Sequence, residues 1–341
     1  MNPPTVDQQI RKVSNTTSLP VLLFALGQLV FGTIAGVVFG AMERFGFALS
    51  TGMRSLILYS AVYIVGGGIA VLVFYLVRSK ETGLRLGQVF QKPRQSAGWI
   101  IKWFVIIWGM TYVANYFTSI FTMLMQLLHI ELQAPQIRFN TDPFGIFVSV
   151  FSIAILAPVF EELIFRSAVY RNAEVMGQGF AIIASALLFG LMHQNYAQVF
   201  YTFVMGMGMA FLVAKTRSVI PAMLFHFLLN GYAVLTGTLL NEISGIDINN
   251  LSQMQDLLVI NPGLIVKILI PALFNIGITV AGIVLLIVTL VKCRGRLGLM
   301  GSVFRVSMGK KIAVFFTAPV TIITIVLLVI STIINAIGIL R

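Results

Sequence analysis

Apolar residues along the chain gather into nine runs separated by short polar segments. Each run holds about 20 residues or more, the length an α-helix needs to cross a hydrocarbon core of about 30 Å. The pattern predicts spans at Leu19–Ala41, Ser55–Val77, Gly98–Leu128, Phe144–Tyr170, Gly179–Asn195, Gln198–Ala214, Val219–Leu240, Leu264–Val291 and Ile312–Leu340. The third and fourth exceed one bilayer thickness, so they are expected to tilt, kink or protrude. The expected fold is all-α, a polytopic transmembrane bundle of eight to nine spans. Three parts are expected: residues 1–142 (three helices and a basic cytoplasmic loop), 143–240 (a four-helix core) and 241–341 (an outer acidic loop and two further helices).

Charge orients the bundle. Lys and Arg collect on alternate connections. They lie at Arg11 and Lys12, from Arg78 to Lys102, at Arg166 and Arg171, at Lys215 and Arg217, and from Lys292 to Lys311. Of 23 such residues, only Arg44, Arg54, Arg138, Lys267 and Arg341 fall on the other side. The positive-inside rule then puts the N-terminus in the cytoplasm and the C-terminus outside. Asn241–Pro262 carries Glu242, Asp247 and Asp256 without Lys or Arg, as an outer loop would. Lys80–Gln95 mixes Leu84, Leu86, Val89 and Phe90 with basic residues and reads as an amphipathic stretch at the inner surface. Met1–Ser18 is polar and the run after it is long enough to span, so no cleavable signal peptide is expected.

Composition narrows the class. Apolar residues make up 58% and charged residues 10%, where a soluble domain is about a quarter charged. With a mean hydropathy of +0.96, this excludes a disordered chain, a coiled coil, a disulfide scaffold and an ordinary soluble enzyme. The net charge of +12 belongs to the cytoplasmic loops. It does not indicate nucleic acid, because no basic run carries interleaved aromatics. One cysteine, Cys293, excludes an internal disulfide and a cysteine-only metal site.

Charge inside the bilayer is the informative anomaly, because an ionisable residue there costs several kcal/mol. Glu161 and Glu162 stand adjacent in an apolar helical run, although the whole chain has only 11 acidic residues. Glu162 and Arg166 are at i and i+4, the favourable order for an ion pair on one face, so Glu162 is expected to be structural. Glu161 points about 100° away and has no cation one turn on, which suits a general base. Pro158 removes a backbone hydrogen bond just before the pair, where a kink would admit water. His193 closes the fifth span. His226 and Asn230 lie one turn apart on the seventh. A polar cluster in lipid must converge to satisfy itself. A carboxylate and an imidazole can hold and deprotonate a water, while a second imidazole and an amide donate to the developing oxyanion. Asn195 reads as a polar helix-end residue and His129 as an exposed loop residue.

These residues resemble a known family. Glu161-Glu162-x-x-x-Arg166, Phe189-x-x-x-His193 and His226-x-x-x-Asn230 are similar, in order, to the three motifs of the CPBP intramembrane proteases, the glutamate-type, metal-independent family that also holds the Rce1-type CAAX prenyl proteases. The flanking words Phe189–His193 and Pro221–His226 are similar too. The resemblance covers about Phe144–Tyr232. It implies an intramembrane endopeptidase in which Glu161 and His193 activate water and His226 and Asn230 form the oxyanion site. Glu162 and Arg166 are then structural supports. It further implies no cofactor, no metal, and a membrane-associated protein or peptide as substrate, met at the bilayer of a bacterial cell membrane. Oligomeric state stays open.

Two positions depart from the family pattern: Ser167 and Arg217 stand where glycine is usual. A difficulty of depth also arises. Glu161 falls toward the inner side, whereas His193 falls about fourteen residues into span five. They meet only if span five begins below the membrane surface or span four extends further inward. Three other readings use the same residues: a non-catalytic scaffold, bacteriocin-immunity factor or signalling regulator of the same fold, a His₂Glu zinc peptidase, and a proton-coupled transporter.

Overall fold

The computed structural model describes residues 3–77, 82–133, 142–242, 262–294 and 297–338. Among them there is no strand. The helices are α1 (Val6–Arg44), α2 (Thr51–Leu76), α3 (Ala97–Leu127), α4 (Pro143–Met176), α5 (Gln178–Met192), α6 (Tyr196–Thr216), α7 (Ile220–Asn241), α8 (Pro262–Lys292), α9 (Met308–Phe316) and α10 (Pro319–Ile337). Eight of the described helices are long and apolar enough to cross a membrane, so this is a multi-pass integral membrane protein.

Three elements differ from the hydropathy pattern for local reasons. Helix α1 begins thirteen residues before the apolar run, because Thr5 and Gln8 form a capping box around its first turn and satisfy donors that would otherwise be orphaned. The ninth run divides into α9 and α10. Pro319 opens α10 and cannot continue the helix before it. Helix α5 has 15 residues. At about 1.5 Å per residue it reaches about 22 Å, short of a bilayer core of about 30 Å. It is buried and stops short of a full span.

Polar contacts between loops sort into two ends. At one end Arg94 N donates to Thr216 O (2.9 Å), Val219 N to Val89 O (2.8 Å) and Gln178 N to Met300 O (3.0 Å). Lys310 pairs with Asp7 there (2.9 Å). At the other end Gln133 N donates to Ala336 O (2.8 Å) and Asn335 to Gln194 O (2.9 Å). The first group unites the basic loops, so the N-terminus is cytoplasmic. The amphipathic stretch is a short 3₁₀ turn, Leu86–Phe90, with Val89 buried against this face. The acidic segment between α7 and α8 lies largely outside the described residues.

Gly177 makes the reversal that sets the site. Its φ of +104° is open to glycine at no steric cost, and it turns α4 into α5. Glu161 lies sixteen residues before it (177 − 161) and His193 sixteen after it (193 − 177). The two arms therefore carry both groups to one depth. Span four extends inward to Met176, which removes the difficulty of depth.

Helix α8 seats on α3 through two glycines. A Cβ on Gly282 would stand 2.3 Å from Val105 O and 3.0 Å from Gly109 Cα. Those atoms are backbone and cannot rotate away. Gly282→Ala is expected to cost about 1–3 kcal/mol by overpacking. Thermal melting in detergent reads the loss, and an unchanged melting temperature would show that the two helices are free to separate.

Candidate active site

Helix α4 departs from α-helical register twice around its carboxylates. The stretches Val150–Leu156 and Leu163–Tyr170 are π-helical, and Ala157–Glu162 between them is α-helical. Such π turns accommodate a residue at functional positions. Pro158 is part of the cause, because it has no N–H to donate. In the i→i+5 register its missing partner is Ile153 O. Asn230 Nδ2 donates to that carbonyl at 2.9 Å, so the orphan is satisfied from α7.

The six residues singled out by pattern fall on α4, the end of α5 and α7, around one centre. Glu162 and Arg166 are fully buried and paired at 3.1 Å. Arg166 also lies over the Phe189 ring, 4.2 Å from its centroid, and donates to Gly206 O at 3.4 Å. Glu162 has a second partner that spacing did not reveal. His226 Nδ1 stands 3.0 Å from its Oε1. With Glu162 ionised beside Arg166, Nδ1 carries the proton and donates. The other ring nitrogen, Nε2, faces Glu161 Oε2 at 3.7 Å. His226 thus sits between the two carboxylates.

Glu161 is buried, and among the described residues no Lys or Arg pairs with it. Its Oε1 accepts from Tyr63 Oη at 2.9 Å, while Oε2 makes no hydrogen bond within the described protein. Tyr63 sits in a π turn of α2, Ala61–Gly67. Sequence reasoning missed it, since 98 residues separate the two and no motif links them. His193 Nδ1 lies 2.9 Å from Phe189 O. A carbonyl only accepts, so Nδ1–H donates and Nε2 is left as an acceptor. Glu161, His193, His226 and Asn230 all line one open cavity of about 620 Å³, within the about 300–1,000 Å³ of typical ligand clefts. Among the described residues no three His, Cys, Asp or Glu side chains converge as a metal-binding set. Asn195 caps α6 by accepting from Ala197 N at 3.0 Å, and His129 is exposed beyond α3.

Residues 143–232, the stretch that builds this centre, match the family described as type II CAAX prenyl endopeptidase Rce1-like. The likeness is to a membrane protease at the level of the family. UPF0177 protein YajF of Lactococcus lactis subsp. lactis is 29% identical over 104 residues, 30% of this chain and 51% of that protein. The chain thus spans about half the length of the curated relative it matches. No solved structure matches.

The two departures from the family pattern have separate physical readings. Arg217 takes φ +58° at the end of α6, the left-handed conformation that favours glycine. Its side chain pairs with Glu174 across the cytoplasmic face, and its carbonyl accepts from Arg171 at 2.6 Å. Ser167 is fully buried, and its hydroxyl accepts from Tyr75 Oη at 2.9 Å. It ties α4 to α2 where a glycine would leave only contact.

Proposed function

We propose that this protein is an intramembrane endopeptidase of a bacterial cell membrane that hydrolyses a peptide bond of a membrane-associated protein or peptide. The observation that carries the reading is one cavity lined by Glu161, His193, His226 and Asn230, in which no Lys or Arg among the described residues pairs with Glu161. Glu161 and the free Nε2 of His193 hold a water and take its proton as it attacks the carbonyl. The proton then passes to the leaving amine. Tyr63 positions Glu161 through its hydrogen bond.

The oxyanion falls to His226 and Asn230. His226 already donates Nδ1–H to Glu162, so it donates through Nε2 only as the imidazolium. Asn230 spends one N–H on Ile153 O and retains the second. Removing an oxyanion donor costs about 10²–10³ in kcat. Asn230→Ala is expected to lower kcat by that amount with KM little changed, when rates are normalised to the folded fraction. Unchanged kcat per folded molecule would leave Asn230 as a helix tie and nothing more. Tyr63→Phe should lower kcat about ten- to a hundredfold, the worth of a hydrogen bond to a charged group of about 1.5–3 kcal/mol. An unaffected rate removes Tyr63 from the mechanism.

The test of function is a comparison of membrane peptides between wild-type cells and cells carrying Glu161→Gln. A polypeptide that accumulates uncut in the variant supports the peptidase. Identical peptide profiles, with proton-driven flux lost in the variant, would make the protein a transporter.

A further inference from the structure

The shortness of α5 has a consequence for what reaches the centre. Helix α5 rises from the cytoplasmic turn at Gly177 and stops at His193. Beyond that point it contributes no wall, and the cavity continues in its place. On every helix the lining residues follow this direction. Helix α6, which descends from the outer side, contributes Gln198, Tyr201, Thr202 and Met205 from its first half. Helix α7, which rises from the cytoplasmic side, contributes a face from His226 to Leu240, near its outer end. Exposure changes in the same sense. Phe165 and Phe189 at the floor are fully buried, whereas Asn115, Ala233 and Leu240 higher up are exposed. The cytoplasmic side of the centre is occupied by the buried Arg166 pair and by loops bonded to one another.

The wall has a definite chemistry. Tyr112 and Asn115 present a hydroxyl and an amide, beside groups already bonded within the protein: Gln28 accepts from Gln194, Thr202 donates to Gln198 O and Thr236 to Tyr232 O. An isoprenoid chain would cover the Tyr112 hydroxyl and the Asn115 amide without pairing them. An extended polypeptide offers one donor and one acceptor per residue and can pair them. Among the described lining residues Glu161 is the one charged side chain apart from the histidines, so the wall sets no charge requirement on a peptide above it. A helical segment would not serve, since its carbonyls are already bonded internally.

Resting on the peptidase reading above, we infer that the site is entered from the non-cytoplasmic face and that its substrate is an extended, unlipidated polypeptide segment presented there, as in an exported peptide or the outer flank of a membrane protein.

The side of entry is tested without any substrate. In a Cys293→Ser background, Asn115→Cys and Thr236→Cys are each exposed to a charged, membrane-impermeant methanethiosulfonate, first on intact cells and then on inverted vesicles. The reagent needs a thiolate and therefore water. Labelling from outside, lost in inverted vesicles, is expected for both, and Cys293 in the native chain should show the reverse. Labelling of both cavity positions from inverted vesicles alone overturns the outer entry. The substrate class is tested by locating the uncut segments that accumulate in the Glu161→Gln membranes. Unlipidated segments on the outer side support it. Prenylated or cytoplasmic C-termini overturn it while leaving the peptidase reading intact. If no uncut segment accumulates, the peptidase reading fails and the substrate class with it, while the labelling still decides the side of entry.

Discussion

Glu161→Gln should yield a folded protein whose turnover is lower by about 10²–10⁴-fold, the usual contribution of a positioned general base. The amide is nearly isosteric and still accepts from Tyr63, so the pocket keeps its shape. It loses the negative charge that faces His226 Nε2 and the capacity to take a proton. The fold is expected to survive because, among the described residues, Glu161 pairs with no buried Lys or Arg. Melting temperature and folded fraction should match wild type within a few degrees, while kcat collapses. A rate equal to wild type in a well-folded variant would remove Glu161 from the chemistry.

Glu162→Ala should act in the opposite way, first on stability. Arg166 is fully buried, and Glu162 neutralises it while accepting from His226 Nδ1. Removing one member of a buried pair costs about 3–5 kcal/mol, because the other charge stays buried and uncompensated. Native stabilities are about 5–15 kcal/mol, so poor accumulation or a large fall in melting temperature is expected. Glu162→Gln should recover part of the loss, since the amide oxygen still accepts from His226. A Glu162→Ala protein as stable as wild type yet inactive would mean that the two carboxylates have exchanged roles.

The contrast between these neighbours was legible in part. The i,i+4 spacing of Glu162 and Arg166 identifies a pair on any helix, and the structure forms it. That His226 would complete the pair was not legible, because it depends on how α7 crosses α4. Tyr63 was hidden for the same reason: its contact is long-range and its surroundings read as an ordinary apolar span. The role of Pro158 was half visible. A lost hydrogen bond was predictable, but its repair by Asn230 through Ile153 needed the tertiary structure. The length of α5 was the consequential gap. Gly179–Asn195 is apolar enough to be read as a span, yet Gly177 and the start of α6 at the Asn195 cap hold the helix to 15 residues, short of a full span. Its equal arms about Gly177 bring Glu161 and His193 to one depth. The ninth run could have been divided from sequence, since Pro319 marks the break. The start of α1 was carried by a polar capping box, which a search for apolar runs does not detect.

The central claim is that a carboxylate and an imidazole activate water directly, without a covalent intermediate. The decisive measurement uses purified protein in bilayers and the polypeptide that accumulates in the Glu161→Gln strain, cleaved in H₂¹⁸O while the intact mass of the enzyme is followed. The account predicts one ¹⁸O in the new C-terminal carboxylate of the product, no mass added to the enzyme at any time, and product and label formed about 10²–10⁴-fold more slowly with Glu161→Gln. An enzyme mass raised by the acyl fragment, chased by water or hydroxylamine, would show a nucleophile in place of a base and contradict it.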